Sequence, residues 1–286
     1  SFIKTWDGQT GFRVVWEPLL KGKFANFYDS FSLTWFWARI KKRTLRLVYP
    51  TGGFQVLVDG LVEKIKSLGG NLAKGVTIES IKQTETGAWQ LTFDGRVQEF
   101  NYLVVTSSIK TFIKLFPNLP EDYKRRIDSI KYINAQILIL VLKNSLTDFY
   151  WVNINEKEFP FLALVEQTNF MKTQDYEDYR VVYLGNYLPD GDARLAMSEE
   201  RLINLYEPYL KKINTQFERS WVVKAVSFVG PFAQPIVDTE YKVKIPPFIV
   251  PGFENLFLAT MAQVYPWDRG TNYAVKLAKD LVREYF

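Results

Sequence analysis

Two side chains that carry much of protein chemistry are absent from this sequence, since none of its 286 residues is a cysteine or a histidine. Without cysteine, disulfides, thiolate metal sites, thiol nucleophiles and iron–sulfur clusters are excluded. Without histidine, serine–histidine hydrolase mechanisms and imidazole metal sites are excluded as well. No spacing of acidic residues calls for a carboxylate metal site, so we expect no metal. A bound organic cofactor is then the simplest source of reactivity.

Long apolar runs are missing too, because residues 137–142, the most apolar stretch, fall far short of the ~20 residues that a spanning helix needs. No signal-peptide pattern opens the chain. We therefore expect a cytoplasmic protein without a transmembrane segment. Peripheral contact with a membrane surface stays open for the basic, aromatic helix predicted around Trp35, although packing against the rest of the protein is the commoner use of such a helix.

Charge of one sign is not concentrated anywhere that favours nucleic acid. The net charge is +5, and the basic residues are scattered among acidic ones apart from Lys41-Lys42-Arg43 and Lys124-Arg125-Arg126. Each triplet is typical of the carboxyl end of a solvated helix. Since no nucleic-acid motif accompanies them, we expect no nucleic-acid partner.

What the sequence does contain is ordinary globular composition with many aromatic residues. The chain is 47% apolar and 23% charged, with 16% aromatic residues. This composition and length suit one large domain or two moderate ones with a sizeable core. Most of the aromatic side chains are expected in that core. Some, such as Tyr150, Trp151, Phe161 and Tyr265, could instead line a pocket for a flat or apolar ligand.

The first ordered block predicts the order helix, strand, hairpin and buried strand. After a turn at residues 50–53, the apolar residues of 54–68 recur with helical spacing, and Gly69-Gly70 ends the helix. A strand follows through Val76 to Ile81, and a hairpin turns at Asp94-Gly95. The continuous apolar run at 102–105 indicates a strand that is buried on both faces of a sheet.

The middle third predicts a second sheet with a helix. Apolar runs at 132–142, 160–165 and 181–188 are expected as long strands. Ser198 is expected to cap a helix that buries Leu202, Leu205, Tyr209 and Leu210. One more strand is predicted from Trp221 to Phe228, and irregular chain from Pro231 to Pro251.

The last segment predicts a strand at 256–259, a loop, and a helix that begins near Thr271. A helix amino terminus after a strand and a glycine-containing loop can hold an anion or an electron-rich ring, because its N–H groups are unpaired. The loop sequence there is Asp268-Arg269-Gly270-Thr271-Asn272. A well-capped terminal helix with an Asp268–Arg269 surface pair remains an alternative. The helix is expected to bury its apolar stripe, namely Ala274, Leu277, Ala278 and Leu281.

These motifs resemble the flavin amine oxidase, protoporphyrinogen oxidase and carotene or phytoene desaturase family. Pro50-Thr51-Gly52-Gly53 with its helix, then Gly69-Gly70-x-Leu72 and Val76-x-x-x-x-Ile81, are similar to one block of that family. Residues 257–260 and 268–274 resemble its final FAD-contacting strand, loop and helix. The two blocks lie in the expected order, and the resemblance covers nearly the whole chain.

The resemblance implies a mixed α+β or α/β fold. A partial, Rossmann-like FAD-binding domain would be built from residues 45–110 and 245–286, and an inserted sheet-and-helix substrate domain from 1–44 and 111–244. Val76 would contact the adenine side of FAD through its backbone, and Thr260 would lie near the pyrophosphate or ribityl chain. The remaining predicted cofactor-binding residues, on the loop and helix near the flavin's pyrimidine edge, are Asp268, Arg269, Gly270, Thr271 and Asn272.

The sequence departs from the family at its start. The first strand, the G-x-G-x-x-G turn and the acidic residue after it are missing, so the FAD pyrophosphate would lack its main cradle. We therefore expect a fragment of a longer oxidoreductase that binds FAD weakly or not at all alone. Covalent flavin attachment through cysteine or histidine is excluded.

The expected function is hydride removal from a small organic substrate by FAD. A non-catalytic binding module that kept the fold without the nucleotide site is one alternative, and a flavin-dependent sugar mutase without net redox is another. The catalytic residues cannot be predicted from the sequence. One structural expectation is direct: the blocks at 45–108 and 250–286 should pack together.

Overall fold

The computed structural model describes residues 2–41 and 47–286. The α-helices, in chain order, are α1 (Phe2–Gly11), α2 (Glu17–Phe24), α3 (Leu33–Lys41), α4 (Phe54–Ser67), α5 (Ile109–Leu115), α6 (Glu121–Asp128), α7 (Glu199–Ile213), α8 (Tyr241–Lys244) and α9 (Thr271–Tyr285). The strands are β1 (Ile78–Gln83), β2 (Trp89–Phe93), β3 (Arg96–Phe100), β4 (Leu103–Val105), β5 (Tyr132–Leu142), β6 (Trp151–Asn153), β7 (Ala163–Glu166), β8 (Arg180–Leu188), β9 (Val222–Pro235) and β10 (Leu256–Leu258).

The chain divides into two compact units, each made of separated segments. The first unit comprises Ser1–Phe31 and Lys131–Thr239, and the second unit comprises Ser32–Ile130 and Glu240–Phe286. The predicted division into an FAD-binding domain (45–110 and 245–286) and a substrate domain (1–44 and 111–244) concerns function, and it stays a prediction.

The first unit is built on an antiparallel sheet with described strands in the order β6-β7-β8-β5-β9. The predicted runs at 132–142 and 181–188 form its two central strands, which pair from Asn134 with Leu188 to Leu142 with Arg180. Alternate residues of β5 point into a core that also contains α7 side chains. Leu138, Leu140 and Leu142 are fully buried there, as the two-residue period of a strand dictates.

Two expectations for this unit need correction. In α7, which Ser198 caps as predicted, Leu205 is exposed, because the buried stripe runs through Leu202, Tyr206 and Leu210. The strand after Trp221 also continues past Pro231 to Pro235, where we had expected irregular chain. β9 accommodates Pro231 and Pro235, which lack an N–H, because it lies at an edge of the sheet and its pairing shifts register near Ile133.

The second unit contains a three-stranded meander and a short parallel pair. The described strands β1, β2 and β3 pair antiparallel, and the predicted turn at Asp94-Gly95 has positive φ at both residues, 49° and 67°. β4 pairs parallel with β10, with Val104 opposite Phe257. This pairing confirms that the two blocks separated in sequence pack together. The core of the unit includes Trp89, whose ring lies 5.8 Å from that of Phe116.

Three apolar surfaces of the second unit are less buried than expected. β4 was predicted to be buried on both faces, yet only Val105 is buried and Tyr102 beside it is 53% exposed. α4 has the predicted helical stripe but no buried residue. In α9 only Leu281 is buried, whereas Ala274 and Ala278 are exposed. The shared reason is that no other described element covers these faces.

The basic triplets are partly tested. α6 carries Arg125 and Arg126 in its last turn, as predicted for a helix end. Lys41 is the last residue of α3, while Lys42 and Arg43 lie outside the described residues. Among the helices that the structure describes, none is long and apolar enough to cross a membrane.

Candidate functional site

The predicted site residues from Thr260 to Asn272 lie on the segment that connects β10 to α9. The N–H of Ala259 donates to the carbonyl oxygen of Val105 at 2.9 Å, which continues the parallel pairing for one residue beyond β10. Thr260 then caps a short turn: its N–H donates to Oε1 of Gln263 at 2.7 Å, and the Gln263 N–H donates back to the Thr260 carbonyl at 2.9 Å. Thr260 is buried, and these hydrogen bonds hold the start of the loop in place.

The second half of the loop is held by α3 and its preceding residue. The hydroxyls of Ser32 and Tyr265 are 3.1 Å apart. Arg39 Nη1 lies 2.6 Å from Asp268 Oδ2, and the Asp268 side chain is only 11% exposed. This ion pair joins Asp268 to α3, a helix that is distant in sequence. These contacts fix the direction in which the chain enters α9.

The amino terminus of α9 presents backbone donors to solvent. Gly270 is extended (φ 176°, ψ 161°), and no side chain caps the helix. The carbonyl of Gly270 accepts from the N–H groups of Tyr273 and Ala274, both at 3.0 Å. In the described part of the chain, the N–H groups of Thr271 and Asn272 have no hydrogen-bond acceptor. Since both residues are exposed, the positive end of the helix dipole is open to a ligand.

Two further features surround this terminus. The Trp267 and Tyr273 rings are parallel within 5°, with centroids 6.3 Å apart. Asn272 folds its side chain toward Gly270, where a β-carbon would come 2.9 Å from Asn272 Oδ1. A glycine therefore keeps the backbone next to the open donors free of a side chain.

Val76 lies on a different segment of the second unit, between α4 and β1. It follows Gly75, whose φ is +69°, and its side chain is half-buried. The strand that we expected to include Val76 begins two residues later, at Ile78. Thus the structure places five predicted residues, Asp268 to Asn272, around one helix end, with Thr260 at the start of the same loop and Val76 on a separate segment.

Sequence reasoning missed the residues that position the loop. Arg39, Ser32 and Gln263 were not predicted, although each holds a loop atom by a direct contact. Arg39 was visible only as part of an amphipathic helix, and nothing local indicates a partner more than 200 residues away. The spacing of Thr260 and Gln263 does match a capping box, S/T-x-x-E/Q, which could have been found.

Buried polar groups in the first unit hold structure together. Glu166 on β7 is fully buried, and its carboxylate accepts from the Ser145 hydroxyl at 2.7 Å and from the Thr147 N–H at 2.8 Å. Burial raises the pKa of Glu166 above its ordinary value, and these hydrogen bonds offset part of that rise. The acid therefore fixes the loop after β5. In the described residues, no group of acidic side chains is arranged to hold a metal ion.

Comparison with solved structures shows the fold. The chain is similar to a protein from Exiguobacterium sp. 255-15 that is provisionally described as a protoporphyrinogen oxidase, with a TM-score of 0.72 and 15% identity over 97% of this chain and 64% of that one. It is similar to reduced UDP-galactopyranose mutase, with a TM-score of 0.67 and 14% identity over 85% of this chain and 56% of that one.

A third similar structure is an oxidoreductase from Methanosarcina mazei, with a TM-score of 0.63 and 14% identity over 82% of this chain and 55% of that one. The chain thus spans less than two thirds of the length of each of these proteins. No curated protein matches the sequence. The predicted mixed fold, with a partial Rossmann-like domain and an inserted sheet-and-helix domain, is confirmed.

The sequence itself matches one protein family. Residues 9–266 match the profile described as flavin containing amine oxidoreductase. The match includes Val76 and Thr260 and ends before Asp268. The amino terminus of α9 therefore lies outside the matched range. A match over most of the chain confirms the resemblance that the motifs indicated. The chain belongs to the flavin-containing amine oxidoreductase family.

Proposed function

We propose that the chain is the flavin-edge and substrate part of an FAD-dependent oxidoreductase that removes hydride from a small organic substrate. Membership of the flavin-containing family supports a flavin. The observation that carries the proposal is the uncapped amino terminus of α9, where the N–H groups of Thr271 and Asn272 are exposed without an acceptor among the described residues. This arrangement suits the electron-rich edge of a flavin ring.

Each residue at the helix end has a role in the proposal. The N–H groups of Thr271 and Asn272 donate to the pyrimidine edge, and Gly270 lets that edge approach the backbone. The Arg39–Asp268 ion pair keeps the loop in position, and Arg269 is a further cofactor contact in this proposal. The helix dipole favours negative charge at this edge, which the reduced ring carries. When bound, FAD supplies the two-electron acceptor that the protein side chains lack.

The remaining contacts concern the rest of the cofactor. Thr260 would lie near the pyrophosphate or ribityl chain, and Val76 would meet the adenine side through its backbone. The described residues contain no glycine-rich phosphate turn, so they fit the flavin end of FAD better than its phosphates. We accordingly propose that residues 1–286 alone bind FAD weakly.

In the first unit, Tyr150 and Trp151 lie at the sheet edge, where Trp151 is exposed and Tyr150 is half-buried. Trp151 on β6 is 53% exposed, and the ring of Tyr150 lies 4.9 Å from that of Phe170. Phe161 is excluded from this role, because it is fully buried in the core. We propose Tyr150 and Trp151 as contacts for an apolar or aromatic substrate.

The test uses the complete protein, meaning the full product of the reading frame that encodes residues 1–286, loaded with FAD. A panel of amines, tetrapyrrole precursors and polyenes is added without oxygen, and flavin absorbance is followed. Bleaching by one class supports the oxidoreductase. UDP-galactopyranose is added in parallel with reduced enzyme, because interconversion of the sugar without net flavin oxidation would instead support a mutase. A protein that binds no flavin and changes none of these compounds would be a non-catalytic module.

A further inference from the structure

The segment that carries Tyr150 and Trp151 depends on its backbone for its position. It ends the loop between β5 and β6, and we call Phe149, Tyr150 and Trp151 the aromatic segment. Phe149 is 67% exposed and Trp151 is 53% exposed, so packing fixes their side chains only in part. The hydrogen bonds of the loop backbone must therefore determine where the segment lies.

Two asparagine side chains hold this backbone from neighbouring elements. Asn169, just after β7, donates from Nδ2 to the carbonyl oxygens of Thr147 and Phe149, at 2.6 and 3.1 Å. Asn214, at the end of α7, donates to the carbonyl oxygens of residues 145–146 at 3.3–3.4 Å. Neither amide ionises, so these contacts do not depend on pH.

Glu166 is the third side chain on the loop, and it does ionise. Its Oε2 accepts from the N–H groups of Leu146 and Thr147, at 3.2 and 2.8 Å. Its Oε1 lies 2.7 Å from Ser145 Oγ, and its own N–H donates to the Tyr150 carbonyl at 2.9 Å. The carboxyl group thus contacts three successive residues shortly before the aromatic segment.

The Ser145 hydroxyl shows which form of this carboxyl group fits the site. Its Oγ lies 2.9 Å from the Thr147 carbonyl oxygen and 2.7 Å from Glu166 Oε1, but a hydroxyl has only one proton to donate. If Glu166 is ionised, one of these two acceptors receives no proton from Ser145. If Glu166 is protonated, Oε1–H donates to Ser145 Oγ and the hydroxyl proton goes to Thr147, so both contacts are hydrogen bonds. The geometry therefore fits the neutral acid better.

Burial and the neighbouring groups act on Glu166 in opposite directions. Its side chain is fully buried, and burial raises its pKa because a carboxylate is costly to remove from water. The hydrogen bonds from Ser145 and the loop N–H groups, and the charge of Arg180 at the start of β8, offset part of that rise. Arg180 and Tyr150 are half-buried, and the other ionisable side chains of the loop and of the last turn of α7 are exposed, namely Lys143, Asp148, Lys211 and Lys212.

We propose that Glu166 is a positioning residue that holds the aromatic segment as a neutral acid and releases it on ionisation. The proton passes to solvent, the Ser145 hydroxyl turns to the carboxylate, and the Thr147 carbonyl loses this donor. A charge is then left in a buried site, which favours opening of the loop. Because Tyr150 and Trp151 are the proposed substrate contacts, the effect on substrate binding rests on the proposed function. The response of the loop itself requires neither flavin nor substrate.

The direction of the pH effect follows from the form that the folded protein favours. Since this is the protonated form, the loop is held fully below the ordinary pKa of 4.5 and is released as the pH rises through the raised, folded-state pKa. An acid that holds the loop by its ionised form would give the opposite order, with release as the pH falls. The sign of the response therefore distinguishes the proposal from an ordinary structural carboxylate.

The first measurement is an infrared pH titration of the complete protein without FAD. We expect the carbonyl band of a protonated carboxyl group that persists above pH 4.5 and disappears as the pH rises further. Glu166→Gln has no carboxyl proton and should lack this band. If wild-type protein and Glu166→Gln give the same spectra above pH 4.5, Glu166 is ionised there and the proposal is wrong.

The second measurement is amide hydrogen exchange at residues 146–151, with rates corrected for the intrinsic effect of pH. Protection in the wild-type protein should fall by about tenfold or more as the pH rises through the transition, because the loop amides become exposed. Glu166→Gln should show no such step, and circular dichroism checks that this variant is folded. An equal step in both proteins would mean that another group controls the loop.

Ser145→Ala tests the shared proton and has a matched control. It should keep the carboxyl band but reduce the exchange step at Thr147, because the hydroxyl that links the two groups is removed. Ser220→Ala removes an exposed hydroxyl that lies 3.1 Å from Glu218 in the same unit, and it should keep the wild-type step. A full step in Ser145→Ala would overturn the proposal. Failure to bind flavin would count against the proposed function alone, since both measurements are made without it.

Discussion

Replacing Thr271 by proline would test the α9 terminus without disturbing the helix. Thr271 is the first residue of α9, a position where the N–H takes no part in helical hydrogen bonding and where proline is favoured. The residue before a proline must be extended, and Gly270 already is, with φ 176° and ψ 161°. Thr271→Pro therefore removes one outward donor and retains the helix.

The magnitude follows from the bond that is lost. A hydrogen bond to a neutral acceptor contributes about 0.5–1.5 kcal/mol and one to a charged acceptor about 1.5–3 kcal/mol. Affinity for oxidised FAD should then fall by up to about tenfold. Affinity for the anionic reduced form should fall further, by a difference of about 1–1.5 kcal/mol. For a two-electron couple, this difference makes the flavin potential more negative by about 20–30 mV.

The assay is FAD titration and dye-linked reduction of the complete protein, with Thr271→Ala as the control because it keeps the N–H. Circular dichroism of both variants checks that α9 is retained. If Thr271→Pro and Thr271→Ala bind FAD equally and share one potential, the α9 terminus does not hold the flavin edge, and the assignment of Thr271 and Asn272 is wrong.

Three further predictions concern stability. Glu166→Gln should lower the free energy of unfolding by about 1–3 kcal/mol, because the amide would face backbone N–H groups. The variant should also make the free energy of unfolding less dependent on pH. The folded-state pKa of Glu166 is raised above 4.5. Its contribution to wild-type stability is therefore full below that pH and is lost as the pH rises through the folded-state pKa. Urea unfolding of both proteins at several pH values measures this, and identical pH profiles of stability would refute it. Leu140→Ala should cost about 2–5 kcal/mol in urea unfolding, whereas Ile137→Ala on the more exposed face should cost clearly less, and equal losses would refute the core assignment. Arg39→Met should cost about 0.5–1 kcal/mol at low salt, and the loss should shrink at high salt; an unchanged loss would mean that the Arg39–Asp268 ion pair is not its source.

Much of the second unit could be predicted because its signals are local. The helical stripe of α4, the Asp94-Gly95 turn and strand β10 each follow from residue spacing or from a glycine requirement. The packing of the blocks at 45–108 and 250–286 could be predicted only through the family resemblance, since no local pattern joins segments so far apart in sequence. The parallel register of β4 with β10 was not predicted.

Local sequence patterns could not predict which apolar faces are buried. The apolar run at 102–105 predicts a strand correctly, but whether both its faces are covered depends on which other elements are present. The same holds for Ala274 and Ala278 in α9. Likewise Arg39 and Ser32 reach the loop through tertiary contacts, which periodicity does not record. The exposed surfaces of β4 and α9 are therefore where pattern and structure disagree.

The most direct test of the central claim is the visible spectrum of the complete protein, purified after incubation with FAD and freed of unbound ligand. The account predicts flavin absorption bands at close to one FAD per polypeptide, and much weaker retention by residues 1–286 alone. A complete protein that folds cooperatively and still retains no flavin would contradict it.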